Sequence, residues 1–106
     1  MEKVIVNSFF HEEVYKIKSF CNKLKTGIDL SCMPIDALSL VRKAVSDYIV
    51  INYQNLLFYP SFPEYLHRNG VGVIAWTIDE ADTLRKIVSM NVDGVMSNDP
   101  KIFEGL

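Results

Sequence analysis

The stretch Val71-Gly72-Val73-Ile74-Ala75-Trp76-Thr77 is followed, beyond a helix-period segment, by Asn91-Val92-Asp93-Gly94-Val95-Met96-Ser97. Each of these two runs is rich in β-branched and apolar residues and ends in a small polar one. Between them Ala81, Leu84, Ile87 and Val88 fall on one helical face. A strand, an amphipathic helix and a second strand in that order form a βαβ unit. Its two strands are parallel, joined by a right-handed crossover.

The same unit recurs towards the amino terminus. Residues 3–7 run into Ser8, 26–30 into Ser31 and 48–51 into Asn52, so the polar terminators at 8, 31, 52, 77 and 97 are spaced 20 to 25 residues apart. Helical faces are predicted through Val14, Ile17, Cys21 and Leu24, and through Ile35, Leu38, Val41 and Val45. Thr77 with Glu80 reads as a capping box, and Asp99-Pro100 as an N-cap followed by proline in the first turn. Asn69-Gly70 is expected to close a short helix near residues 63–68, and 53–62 to form a long irregular loop. The fold class is therefore α/β with a parallel sheet. In closed barrels and open doubly wound sheets alike, ligands lie beyond the carboxyl ends of the strands, where the polar terminators stand.

With 106 residues, 49% of them hydrophobic and 23% charged, the chain suits one domain and is too short for a complete eight-fold β/α barrel of about 250 residues. A formal net charge of −2 supplies no field to attract nucleic acid. The basic run Lys16, Lys18, Lys23 and Lys25 stands beside Glu12 and Glu13 and reads as a solvated helix face. No apolar run approaches the ~20 residues of a membrane span. Met1-Glu2-Lys3 leads directly into apolar sequence without the features of a secretory signal, so a cytoplasmic location is the expectation. Cys21 and Cys32 lack metal-site spacing and read as reduced thiols.

The combination Trp76-Thr77, Val92-Asp93-Gly94 and Asp99-Pro100, with the opening Val4-Ile5-Val6-Asn7-Ser8-Phe9, closely resembles the C-terminal end of the glycerophosphodiester phosphodiesterase family. The resemblance implies that residues 1–106 are the C-terminal half of a TIM barrel that hydrolyses glycerophosphodiesters to glycerol phosphate and an alcohol. It implies a divalent cation, Mg or Ca, and a substrate wall made by Trp76 and Phe9 beside Ser8.

The family's His-Arg-Gly, Glu-x-Asp, His-Asp and Glu-x-Lys motifs are absent from this sequence. No catalytic residue and no metal ligand is therefore assigned here: His11 and His67 stand in helical contexts, and Glu64 with His67 reads as a solvated pair. Ser97-Asn98-Asp99 enters a helix that can face a phosphate, with Asp99 better suited to capping, and Asp93-Gly94 reads as turn geometry. Half a barrel exposes two strand edges, so a missing N-terminal half, self-association or an opened flavodoxin-like sheet is expected. A non-catalytic binding module on the same scaffold is the alternative. A small enzyme built on Ser8, Asn52 and Thr77 is the third reading.

Overall fold

Five parallel strands pair strictly in chain order: β1 (Ile5–Ser8), β2 (Lys25–Leu30), β3 (Tyr48–Asn52), β4 (Gly72–Trp76) and β5 (Gly94–Val95). The computed structural model describes residues 4–105, so Lys3, expected in β1, lies outside the described residues. Helices α1 (His11–Phe20), α2 (Ala37–Ala44), α3 (Tyr53–Phe58), α4 (Phe62–Arg68) and α5 (Ala81–Val88) fill the connections, and a 3-10 helix (Pro100–Gly105) follows β5. A flavodoxin-like sheet reverses direction after its first strand. This order has no reversal, and right-handed crossovers then place every helix on one face.

That face holds the core. Ile28 and Leu30, Ile49 and Ile51, and Val73 and Ala75 alternate along their strands and meet Val14, Leu38, Val41, Leu56, Leu66, Leu84 and Ile87 from the helices. The intervening positions form the opposite, inner face. The register aligns Asn7 with Gly27, Asp29 with Val50 and Ile74, and Asn52 with Trp76. The chain exposes 6817 Å², against about 6,000 Å² for a closed globule of this size. The inner face is not bare: Val50 and Ile74 are buried on it, and Asn7, Asp29 and Trp76 are partly covered.

Carboxylates secure the amino-terminal ends of the strands by a repeated device. Asp47, just before β3, accepts hydrogen bonds from the Thr26 amide at 2.9 Å and from Lys18 at 2.6 Å. Asp93, just before β5, accepts them from the Val73 amide at 2.8 Å and from His67 Nε2 at 2.7 Å. Each carboxylate thus occupies an amide of the preceding strand and draws in a side chain from the helix side. Asp93 does more than set a turn. Its link to His67 leaves Glu64 to pair with Arg68, so Glu64 and His67 face different partners.

Several local expectations are corrected. Residues 53–58 are helical, because the Asn52 side chain accepts from the Gln54 amide at 3.0 Å and Leu56 is buried. Cys21 and Leu24 lie past the end of α1. Asp36 caps α2 through the Ser39 amide, which leaves Ile35 ahead of the helix and fully exposed. Glu80 rather than Thr77 stands at the cap of α5, without a side-chain bond. Ala81 and Val88 are exposed, and Ile78 joins Leu84 and Ile87 in the core. Asp99 does cap its helix, accepting from the Lys101 amide at 3.0 Å, and Asn69-Gly70 does close α4, with Gly70 at φ +75°.

Val45 ends α2 in the left-handed region at φ 53°, half exposed. A β-branched residue there costs on the order of 1–2 kcal/mol that glycine does not. Val45→Gly is expected to stabilise the chain by about 1 kcal/mol in urea titrations, and an unchanged or lower midpoint would contradict the strain.

Candidate functional site

The carboxyl ends of β1 to β4 bring together side chains that are far apart in sequence. Phe9, one residue beyond β1, meets Trp76 at the end of β4 edge-on, with ring centroids 5.9 Å apart at 83°. The indole reaches across β3, where its Nε1 donates to the Val50 carbonyl at 3.2 Å. Trp76 is half-buried and Phe9 is 54% exposed, so the pair forms a wall rather than a core contact. The Trp76–Thr77 peptide is cis.

Ser8 supports this wall indirectly. Its register with Ile28 puts it on the helix side, and its hydroxyl accepts from the Phe10 amide at 3.0 Å, which shapes the turn that carries Phe9. Asn52 is engaged in capping α3, while Thr77 is exposed on the rim. These two and Ser8 do not converge on a nucleophile-base geometry.

Sequence reasoning passed over Asp29. It lies on the inner face near the end of β2, level with Val50 and Ile74. The Asn7 amide nitrogen, oriented to donate, is 3.1 and 3.2 Å from its two carboxylate oxygens. Burial raises the Asp29 carboxyl above the ordinary 3.8, and the positive charge His11 can carry opposes that shift. His11 itself donates from Nε2 to the Asp29 carbonyl at 3.0 Å. The signal for Asp29 was its parity: a carboxylate between Ile28 and Leu30 in an otherwise apolar strand has to face away from the helices.

A second acidic group closes the rim. Asp79 accepts from Ser97 Oγ and the Asn98 amide, both at 2.8 Å, joining the loop after β4 to the loop after β5. The Asn98 backbone and Ser97 hydroxyl bonds hold its carboxyl below the ordinary range. Ser97 and Asn98, expected to face a phosphate, are thereby engaged with a carboxylate. The polar cavity of about 300 Å³ lined by Lys25, Asp47, His67 and Asp93 opens at the other end of the sheet, where barrels keep their stabilising contacts.

The model of the glycerophosphoryl diester phosphodiesterase family matches residues 3–102. The chain belongs to that family. A glycerophosphodiester phosphodiesterase of Caldanaerobacter subterraneus subsp. tengcongensis is 26% identical over 100 residues, which cover 94% of this chain and 40% of that protein. The structure of an Oleispira antarctica phosphodiesterase, in complex with the product sn-glycerol-3-phosphate, superposes with a TM-score of 0.81 at 18% identity, over 94% of this chain and 40% of its own. A glycerophosphodiester phosphodiesterase from Parabacteroides distasonis gives 0.78 at 17% identity, over 93% and 40%. The chain spans about two fifths of these family members, and its sheet is a sector of their barrel.

A divalent cation implied by the family does not fit this sector alone. Among the described residues no three His, Cys, Asp or Glu side chains converge as a ligand set, and Asp29, Asp79 and Asp93 are each committed to different donors. Among the described residues, too, no helix is long and apolar enough to cross a membrane.

Because the folded Asp29 pKa lies above its unfolded value, ionising Asp29 opposes folding. That cost is absent below the unfolded value near 3.8 and complete once pH exceeds the raised folded value. Asp29→Asn is therefore expected to be more stable than the parent at pH 7, the gap closing as the solution is acidified towards pH 4. Denaturant midpoints across that range check it, and a less stable variant at pH 7 would refute the burial cost.

Proposed function

We propose that this chain is the C-terminal part of a glycerophosphodiester phosphodiesterase, residues 1–106 forming the alcohol-side wall of its substrate pocket. The observation that carries this reading is the Phe9–Trp76 pair, a flat apolar surface held at the carboxyl ends of a barrel sector. Such a surface suits the carbon face of a glycerol or another small alcohol. The product sn-glycerol-3-phosphate held by the Oleispira antarctica phosphodiesterase makes a glycerol phosphate the natural first ligand to test.

The division of labour follows from the residues present. Proton transfer and a metal-polarised phosphoryl group require histidines and converging carboxylates at strand ends, and these belong to the complementary segment. Here Ser8 sets the turn, Phe9 and Trp76 shape the pocket, and Asp79 holds the rim through Ser97 and Asn98.

The partner is a segment of three βα units, since five strands leave three of a barrel's eight to be supplied. Its strands would pair with the free edges of β1 and β5. Two copies of this chain carry ten strands, which overshoots the ring, so self-association is a substitute for that partner and not its equivalent. The proposed location of the assembled enzyme is cytoplasmic.

The purified chain is expected to leave glycerophosphocholine intact with Mg or Ca and to become hydrolytic when mixed with a three-unit amino-terminal segment from a family member. Trp76→Ala should then lower kcat/KM by about tenfold or more. Chelator-sensitive turnover by the chain alone would overturn the division, and full activity with Trp76→Ala would overturn the wall. Inactivity after stable assembly would favour a non-catalytic binding module. Light scattering on the chain alone is expected to show association that rises with concentration, because among the described residues neither β1 nor β5 has a strand on its outer edge.

A further inference from the structure

We propose that the amino-terminal end of the sheet is a docking face for an anionic lipid surface, held by Lys23, Lys25, Arg42 and Lys43 and seated by the exposed side chains of Phe20 and Val45. The proposal stands apart from the pocket-wall reading, since it uses the opposite end of the strands.

Charge in this chain is sorted by end. Each helical connection starts at the carboxyl end of one strand and returns to the amino-terminal end of the next. Glu12 and Glu13, Asp36, and Glu80 with Asp82 stand at the starts of α1, α2 and α5. Lys18, Arg42 with Lys43, His67 with Arg68, and Arg85 with Lys86 stand in the last turns of α1, α2, α4 and α5. The helix dipole favours that sorting, but it does not account for Lys23 and Lys25, which lie past the end of α1. A net charge of −2 conceals this polarity.

The cations at the amino-terminal end are left uncompensated. In the loops that lead into β2, β3, β4 and β5 the acidic residues are Asp47 and Asp93, and each is already bonded to a strand amide and to Lys18 or His67. Among the described residues Lys23, Arg42 and Lys43 enter no ion pair, and Lys25 only approaches Asp47, at 4.0 Å. Lys18, Arg42 and Val45 line a shallow cavity of about 370 Å³ and Lys25 lines one of about 300 Å³. The two meet at Asp47, Gly70 and Val71, so the ends of α1 and α2 share one floor. Of the basic run in α1 and β2, Lys16 is a solvated partner of Glu12 and Glu13, while Lys23 and Lys25 belong to this floor.

Two apolar side chains stand among these cations. Phe20, the last residue of α1, is 94% exposed, and Val45 is 50% exposed in the left-handed position that ends α2. The fold gains little burial from either, and Val45 holds a conformation that glycine adopts more easily. An anionic bilayer interface supplies what both lack, with hydrocarbon for the apolar tips and negative headgroups for the surrounding cations. A nucleic acid strand matches the cations and can stack on Phe20, but it offers Val45 no apolar partner. In this orientation the Phe9–Trp76 wall faces water, from which a dissolved ligand enters.

Vesicles of phosphatidylcholine with about one third phosphatidylserine are expected to sediment the 106-residue chain at low salt, and pure phosphatidylcholine vesicles to leave it in solution. Raising the salt to about 0.5 M should release it. Arg42→Gln combined with Lys43→Gln is expected to lower partitioning about tenfold or more, at roughly fivefold per cation. Lys101→Gln, a charge change beyond β5 at the opposite end, should leave it unaltered. Phe20→Ser should weaken binding about fivefold. Val45→Gly separates docking from folding, because it is expected to stabilise the chain and yet to bind vesicles more weakly. Equal partitioning onto neutral vesicles, an equal loss with Lys101→Gln, or undiminished binding by the Arg42 and Lys43 double variant or by Phe20→Ser would overturn the face. A single-stranded oligonucleotide bound as tightly as the vesicles would mark a general polyanion site and overturn the lipid assignment.

Discussion

Each strand of this sheet lies beside its neighbour in sequence, and right-handed crossovers then force all the helices onto one side. The molecule's two faces follow from that constraint. The helix side closes over Ile28, Ile49, Ile51, Val73 and Ala75 as an ordinary core. The inner side receives Asn7, Asp29, Val50, Ile74 and Trp76, with no second layer of helices or strands above them among the described residues. In a closed barrel the facing strands provide that layer through interleaved side chains. A sector has only what its own bulky residues span, which is why the indole of Trp76 extends over β3 and Val50 is buried while lying outside the helix-side core.

The acidic residues divide along the strand axis. At the amino-terminal end Asp47 and Asp93 each accept an otherwise free strand amide and recruit Lys18 or His67, so their charge is absorbed in fixing register. At the carboxyl end Asp79 holds two loops together, again through backbone and hydroxyl donors. Asp29 has no such duty. The Asn7 amide meets its carboxylate, and burial lifts its carboxyl against the opposing charge of His11, where the contacts of Asp79 depress theirs. The opposite shifts separate a group placed for structure from one whose placement works against it.

Much of this architecture was legible in the residues. The recurrence of apolar run, polar terminator and helical face located all five strands, because parallel strands buried against helices read as short β-branched runs. The family resemblance singled out Phe9 and Trp76, and the fold then placed them in contact. Local competition explains what was missed. The prolines near residue 60 suggested a loop, but Asn52 caps a six-residue helix before them. Ile35 fitted the helical period of Leu38 and Val41, yet Asp36 starts the helix one residue too late to include it. Asp29 stands inside its strand ahead of the terminator Ser31, so strand-end polarity does not mark it; its parity between Ile28 and Leu30 does.

The inner face also sets how such a sector can be completed. Val50 and Ile74 are already buried by this chain, so a complement that pairs with the edges of β1 and β5 would have the Phe9–Trp76 wall left to cover. A flat association through one edge satisfies the strand amides and leaves the wall bare. Curved closure by three further strands satisfies both, because the ring's curvature turns the inner faces towards one another.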